Sequence, residues 1–315
     1  MSSTPLVSVV VPTHNRRSAV TRCVESILRS DYGQFEVLVV DDGSSDGTSD
    51  HLEMVFPNVT LIRLDRISLV SEARNAGGKR AKGDLVFFVD DDNVVDPRAI
   101  SELVKAVLNN PDVGIAGPIM YYLRDPEHIW CSGVSRNYWT STTRFSTSKP
   151  DGPADCYQTE DVPNSFMIKK SVFHDVGYFD QDLFAQHMEE ADFCHRAKAK
   201  GYRVVMVPRA SIWHDVPVRT WPYRGARNLH ISSSQRAYYV ARNRILFMRK
   251  YAGPTKFAFF AVVFLPPIAL SHIAMILRED SIGDRRAAFA ESYMRGLVDG
   301  FASNALTKHD SAFSS

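Results

Sequence analysis

Three groups of carboxylates hold most of the chemical potential of this chain: Asp41-Asp42, Asp90-Asp91-Asp92 and Glu189-Glu190-Ala191-Asp192. The middle group follows the apolar run Leu85 to Val89. Three adjacent carboxylates repel one another, so ending a buried strand with them is costly unless a cation neutralises them. A hard divalent ion with oxygen ligands meets that need. If strand alternation continues through the run, Asp90 and Asp92 share one side and form the metal pair, with Asp91 on the other. The plain alternative is a solvated acidic turn leading to Pro97.

The first group opens Asp41-Asp42-Gly43-Ser44-Ser45-Asp46-Gly47-Thr48, directly after the apolar run Phe35 to Val40. In open α/β sheets ligands bind outside the carboxyl ends of strands, where Asp41 or Asp42 could accept a hydrogen bond from a base or ribose. A βα turn capped by Asp46 or Thr48 is the structural reading, and both can hold on different residues. The third group stands where a helix begins. The macrodipole favours acids there, while a catalytic role needs one carboxylate aimed at an acceptor hydroxyl. His214, in Ile212-Trp213-His214-Asp215, follows a strand and reads either as a packed histidine or as a metal ligand.

The elements that must position these groups alternate between two periods. Val7 to Val11, Phe35 to Val40, Val59 to Arg63 and Leu85 to Val89 read as buried strands. Val20, Cys23, Val24, Ile27 and Leu28 share one helix face, as do Ile100, Leu103, Val104, Val107 and Leu108, with Asp96 as candidate cap and Pro97 in the first helical position. Such βαβ alternation predicts an α/β fold with a mostly parallel central sheet and flanking helices. From Tyr121 to Asp161 the pattern loosens into short strands and long loops suited to substrate. Ser165 to Lys170 reads as a strand, Glu189 to Lys200 as a helix, Tyr202 to Val207 as a strand and Ser211 to His214 as a short extended piece.

The 315 residues suggest one large domain plus an appendage, with the boundary expected between residues 225 and 226. A formal charge of +1, from 37 basic and 36 acidic residues, gives no nucleic-acid footprint. The cysteines at 23, 131, 156 and 194 show neither a CxxC pair nor zinc spacing, which suggests reduced thiols in the cytoplasm. The N-terminus has no basic n-region before its short apolar run, so no secretory signal is expected. The C-terminal module, 226–315, is expected to be helical and partly hydrophobic. Its stretch Phe257 to Leu277 is apolar except for Ser271 and His272, and Lys250, Lys256 and Arg278 flank it. That length can cross a bilayer, although Pro266-Pro267 and His272 also suit a re-entrant or interfacial anchor, a buried hairpin or a homo-oligomer contact.

Taken in order, VSVVVPTHNR at 7–16, VLVVDDGSSDGT at 37–48, ARNAGGKRAKGDLVFFVDDDN at 73–93 and MEEADFCHRAKAKGYRV at 188–204 resemble glycosyltransferase family 2, the inverting enzymes of GT-A fold. Phe179 to Phe184 and Trp213-His214 look like its rhamnosyl- and galactofuranosyl-transferase branch. The resemblance implies a Rossmann-like GT-A domain and transfer from a nucleotide-sugar donor to a glycan or lipid-linked acceptor. It further implies that Asp41 contacts the nucleobase, that Pro12 and Thr13 line the nucleotide site, and that Arg74 lies near the nucleotide or diphosphate. Asp90 and Asp92 become the DxD motif for Mn²⁺ or Mg²⁺, Asp91 lies near the donor sugar, and His214 matches a histidine that completes the metal shell in some relatives. Glu190 falls where the family usually carries a catalytic Asp. Uracil and thymine both offer an N3–H to Asp41, so UDP- or dTDP-sugars lead over GDP-sugars.

Two other classes compete with this reading. A sugar nucleotidyltransferase usually needs a Gly-rich basic loop, and Pro12-Thr13-His14-Asn15 has no glycine. An inactive scaffold of the same fold would be expected to show gaps in its carboxylate set. Processive synthases add a QxxRW motif and several membrane spans, which Gln235-Arg236-Ala237-Tyr238-Tyr239 does not fit. The expected setting is the cytoplasm, at the inner face of the cell membrane.

Overall fold

Val7, Val9 and Val11 point to one side of a strand and Val10 to the other, and all four are completely buried. The strand is therefore covered on both faces, as a run of valines in a central parallel sheet must be. The computed structural model of the protein describes residues 4–150, 155–218, 231, 233–278 and 280–303.

In chain order the elements begin β1 (Val7–Thr13), α1 (Arg17–Leu28), β2 (Phe35–Asp41), α2 (Thr48–Val55), β3 (Thr60–Arg63), α3 (Leu69–Arg80), β4 (Leu85–Val89), β5 (Asn93–Val95) and α4 (Ala99–Asn109). There follow β6 (Val113–Tyr122), β7 (Asp125–Cys131), β8 (Val134–Asn137), β9 (Thr142–Phe145), β10 (Tyr157–Gln158), β11 (Ser165–Lys169), α5 (Lys170–Val176), α6 (Glu189–Ala199) and β12 (Arg203–His214). The C-terminal helices are α7 (Ser234–Tyr251), α8 (Gly253–Phe259), α9 (Leu265–Arg278) and α10 (Arg286–Ala302). A π-helical turn, Phe260–Phe264, joins α8 to α9.

The large sheet runs β10-β12-β6-β11-β4-β1-β2-β3, with β5 paired to β12 and β7 to β6. β4, β1, β2 and β3 are parallel, while β11 enters antiparallel between β4 and β6. Thr13 pairs with Asp41, so the carboxyl ends of β1, β2 and β4 lie side by side with the acidic loops just beyond them. One sheet face packs on α1 and α4 through Val20, Val24, Ile27, Ile100, Leu103 and Val107. The other packs on α3, α5 and α6 through Ala73, Phe173, Phe193 and Ala197. Each of these valine, leucine, isoleucine and phenylalanine side chains contributes about 1.5–3 kcal/mol on burial.

Several expectations shift. Ser211 to His214 is the end of β12, set off by a bulge between Val207 and Ser211 rather than by a break. The helix after Pro97 begins only at Ala99, because Asp96 accepts from the Arg98 amide and closes a separate turn. Asp46, one residue before the Gly47 cap of α2, accepts from both the amide and the hydroxyl of Thr48 and closes the turn into that helix. Central β6 and helix α3 had no expectation of their own. β6 carries a proline and two glycines, and α3 buries Ser71, Arg74 and Asn75, so neither shows a clean apolar period. Gly77 and Gly78 explain how α3 can lie so low: a Cβ would meet Val10 at 2.3 Å and Phe173 at 2.4 Å respectively. None of the four cysteines forms a disulfide.

The chain divides into two compact units. The first contains the sheet and α1 to α6. The second comprises 136–143, 181–188 and the C-terminal helices. The expected boundary at 225/226 lies outside the described residues. Within the second unit, α7 and α10 approach closely because Gly296 and Gly300 lack side chains; a Cβ on Gly296 would meet the Tyr238 carbonyl at 2.3 Å. Asn243 on α7 is completely buried and donates to the Gln186 and His187 carbonyls at 2.7 and 3.0 Å, holding the loop whose chain continues into α6. His187 and Met188 in that loop both have positive φ, 71° and 72°.

Candidate active site

Asp42 is the first residue past β2, and its carboxylate accepts from the Ser68 amide and hydroxyl at 2.7 and 2.6 Å and from the Leu69 amide at 2.9 Å. It thereby caps the orphan amides of α3. In the second turn of that helix stands Arg74, which is 0% exposed. A buried guanidinium must be surrounded by acceptors. It donates through Nη2 to Asp90 at 2.7 Å and through Nη1 to Glu190 at 2.9 Å and Glu189 at 3.3 Å. Burial opposes its charge, but Asp90, Glu190 and Glu189 together outweigh that and raise its pKa. Arg74 thus ties the second acidic group to the third.

The third group divides by environment. Glu189 is buried, its Oε2 has no hydrogen-bond partner, and burial plus the charge of Glu190 push it well above the usual carboxylate range. Its surroundings thus favour the protonated form of Glu189. Glu190 keeps 18% of its side chain exposed, while Ala191, Cys194 and Ala197 face the core as their spacing predicts.

Asp90, Asp91 and Asp92 do not follow strand alternation. β4 stops at Val89 and a turn begins at Asp91, so the pleat no longer dictates direction. Asp90 turns to Arg74, whereas Asp91 and Asp92 share Arg16, whose Nη1 lies 2.9 Å from a carboxylate oxygen of each. Asp91 also accepts from the Thr13 hydroxyl at 2.7 Å. Burial pushes Asp91 up to about 6 against the opposing pull of Arg16, and burial with neighbouring negative charge raises Asp90 in spite of Arg74. For Asp92 burial also pushes upward, but His214 and Arg16 prevail and hold it at about 2.

His214 ends β12 with its Nε2 3.4 Å from Asp92 Oδ1 and 3.3 Å from the amide nitrogen of Asn164. Asp92 Oδ1 is buried and has no hydrogen-bond partner nearer than the His214 ring nitrogen at 3.4 Å. A carboxylate oxygen and an imidazole nitrogen at this separation can share one divalent ion. Among the described residues no three His, Cys, Asp or Glu side chains form a ready-made metal cage. Asp92 and His214 fit a divalent ion as two protein ligands, a small set that Mg²⁺-type sites complete with phosphate and water. Asp90, the third expected ligand, pairs with Arg74 at 2.7 Å and keeps 28% of its side chain exposed.

The remaining expected residues are placed as follows. Asp41 is buried and accepts from the Ser44 amide at 2.9 Å and from the Ser49 hydroxyl, shaping the loop after β2. Pro12 and Thr13 end β1 beside it. Arg74, expected beside the diphosphate, lies beneath the carboxylates and organises them. A cleft of about 450 Å³ opens over Arg16, Asn15, Ser18, Asp46, Asp92 and Asp215. Its polar lining suits phosphate and sugar rather than an apolar ligand. Asp215 is fixed there by Arg22 at 2.7 Å and Arg124 at 3.1 Å. Arg16, Asn164 and Asp215 had no assigned role in the sequence; Arg16 was legible only as the last letter of VSVVVPTHNR.

The model of glycosyl transferase family 2 matches residues 8–177, more than half of the chain. The chain belongs to glycosyltransferase family 2. The family match takes in Thr13, Asp41, Arg74 and Asp90 to Asp92 but ends before Glu190 and His214, whose placement rests on the geometry above. An uncharacterised protein of Sinorhizobium fredii, y4gI, is 29% identical over 68% of the chain, which spans a quarter of that relative's length. The dTDP-rhamnosyl transferase RfbF of Shigella flexneri is 27% identical over 84% of the chain and 85% of its own length. Among solved structures, the mannosyltransferase PcManGT from Pyrobaculum calidifontis, in complex with GDP-Man and Mn²⁺, superposes with a TM-score of 0.59 at 16% identity. It covers 95% of this chain and 88% of its own, a likeness of fold. The family 2 enzyme described here is thus a glycosyltransferase of GT-A fold.

Proposed function

We propose that this glycosyltransferase moves a sugar from a UDP- or dTDP-linked donor to a hydroxyl of a lipid-linked or cell-surface glycan precursor, with inversion and with Mn²⁺ or Mg²⁺ bound. The carrying observation is that one buried arginine, Arg74, holds Asp90 and Glu190 in a single cluster at the carboxyl edge of the sheet. A dTDP donor is supported by the name of RfbF, which aligns with most of the chain. Divalent metal dependence is supported by the approach of His214 Nε2 to Asp92 Oδ1 and by the Mn²⁺ in PcManGT. When bound by Asp92 and His214, the ion would neutralise charge on the diphosphate leaving group.

The chain's own residues do the rest in this reading. Glu190 takes the proton of the acceptor hydroxyl as its oxygen bonds to the anomeric carbon. The bond from that carbon to the diphosphate oxygen breaks in the same displacement, and its electron pair leaves with the diphosphate. Arg74 keeps Glu190 oriented, with Glu189 beside it on the same guanidinium nitrogen. Asp91, fixed by Thr13 and Arg16, borders the donor sugar. Asp41 and Pro12 flank the base.

We further propose that the enzyme works in the cytoplasm at the inner face of the cell membrane. The support is the rod Gly253–Arg278, whose mean hydropathy reaches 2.2 and most of which is not buried in the protein. The reading is tested by titrating UDP-, dTDP- and GDP-sugars with and without Mn²⁺ while following thermal stability, since a true donor raises it by mass action. No shift with any nucleotide sugar would end it.

A further inference from the structure

The continuous rod from Gly253 to Arg278 has two unlike sides. Phe260, Leu265, Ala269, His272 and Ile276 are buried against α7 and α10, and the His272 imidazole pairs with the Tyr293 hydroxyl of α10 at 2.8 Å. Apart from Ser271, the other side is exposed and apolar: Phe259, Val262, Val263, Leu270 and Leu277, with Val262 at 76% and Leu270 at 68%. Pro266 and Pro267 lie on that side, where the missing proline amides disturb no packed neighbour.

We infer that this rod lies in the plane of an anionic membrane surface, its exposed stripe inserted, and does not cross the bilayer. The inference rests on the membrane association proposed above and specifies its form. Crossing would either strip the buried side from α10 or carry α10 into hydrocarbon. α10 bears Arg286, Glu291, Arg295 and Asp299, so the second course is costly. Lying flat leaves that packing intact and covers only the exposed stripe. On α10 itself Met294, Val298 and Phe301 are exposed between these charges, a mixture suited to headgroup depth.

Two observations select a bilayer over a protein partner. Residues 234–302 carry ten basic and five acidic side chains, whereas the remainder of the chain carries 27 and 31. Arg242, Arg244 and Arg249 turn inward onto backbone carbonyls, whereas Arg278, Arg285 and Arg295 are exposed and can meet anionic headgroups. At one end of the stripe Trp139, 45% exposed, packs edge-on against Phe259 at 5.5 Å, and Lys256 lies 5.9 Å over the Trp139 ring. An exposed tryptophan and a lysine beside an apolar stripe match the amphipathic belt found at membrane–water interfaces.

Flotation of the full chain with vesicles tests this. The protein should float with phosphatidylcholine–phosphatidylglycerol vesicles, much less with phosphatidylcholine alone, and should be released by alkaline carbonate. Val262→Ser with Leu270→Ser should weaken partitioning on the order of tenfold or more. Trp139→Ala should weaken it less. Both serine sites are exposed, so melting temperature and donor binding should stay at parental values. Resistance to carbonate extraction would overturn the flat orientation and leave membrane association standing. Failure to float with any vesicle overturns both. A concentration-dependent dimer lost in the serine variant, with no vesicle binding, would assign the stripe to a second copy and overturn the inference. In each case nucleotide-sugar binding reports separately on the glycosyltransferase reading.

Discussion

Arg74 donates to Glu190 at 2.9 Å from a side chain wholly out of solvent, so the proposed base and the acidic turn after β4 share one buried positive charge. The glycines Gly77 and Gly78 and the Asp42 cap place the helix that carries it. Arg74→Ala would leave Asp90, Glu189 and Glu190 without their common partner. Breaking a buried ion cluster in this way costs about 3–5 kcal/mol. Urea unfolding should show a loss of that order. Arg74→Lys, which keeps the charge but not the forked donors, should recover part of the stability and little transfer. Parental stability in the alanine variant would show that the cluster is not coupled as described.

Glu190→Gln keeps the size of the side chain and an oxygen for Arg74 but removes the proton acceptor. Donor binding and melting temperature should stay close to parental, while transfer falls about 10²- to 10⁴-fold. Glu190→Asp should retain more activity, since the family resemblance places the shorter acid here. The informative comparison is Glu189→Gln, whose parent side chain is buried and tends to hold a proton. If Glu189→Gln loses turnover and Glu190→Gln does not, the base is Glu189.

The parts of the fold legible in the sequence are those where one physical signal dominated. β4 was bounded correctly because Leu85 to Val89 is purely apolar between polar neighbours. α3 was silent because its buried face carries Ser71, Arg74 and Asn75, and a buried polar face looks exposed to any hydrophobic period. The directions of Asp90, Asp91 and Asp92 depart from the alternation expected of them because the strand ends at Val89 and none of the three lies on its pleat. Arg16 and Asn164 were out of reach because only tertiary contact brings them to Asp92 and His214.

His187 gives the second unit a defined acid sensitivity. Burial, reinforced by the charges of Arg236, Arg244 and Arg136, lowers it from 6.5 to about 3. Between those values the unfolded chain binds a proton that the folded one refuses, so stability is full above pH 6.5 and is lost as pH falls towards 3. His187→Asn should flatten that slope in thermal melts across this window. Asparagine tolerates the positive φ of 71° at this position, so the variant should fold. An unchanged slope would place the acid sensitivity on other groups.

Arg16 occupies, through Asp91 and Asp92, carboxylate oxygens that the proposed metal and donor would approach. It is half exposed and lines the cleft, so it can leave those carboxylates without unpacking the core. A partly exposed pair of this kind is worth roughly 0–1 kcal/mol, which bounds the effect to about fivefold. Arg16→Gln should therefore bind Mn²⁺ up to about fivefold more tightly when no donor is present, read by the loss of the free-ion signal in electron paramagnetic resonance. With a nucleoside diphosphate added the sign should reverse, because the variant lacks a cation to place against the diphosphate. Asp92→Ala should lose Mn²⁺ binding in both conditions and, like excess EDTA on the parent enzyme, abolish transfer. Should Arg16→Gln leave both affinities unchanged, Arg16 is only a surface partner of the two aspartates. If Asp92→Ala still binds the ion at parental affinity, the ligands lie elsewhere and the pairing of Asp92 with His214 is structural.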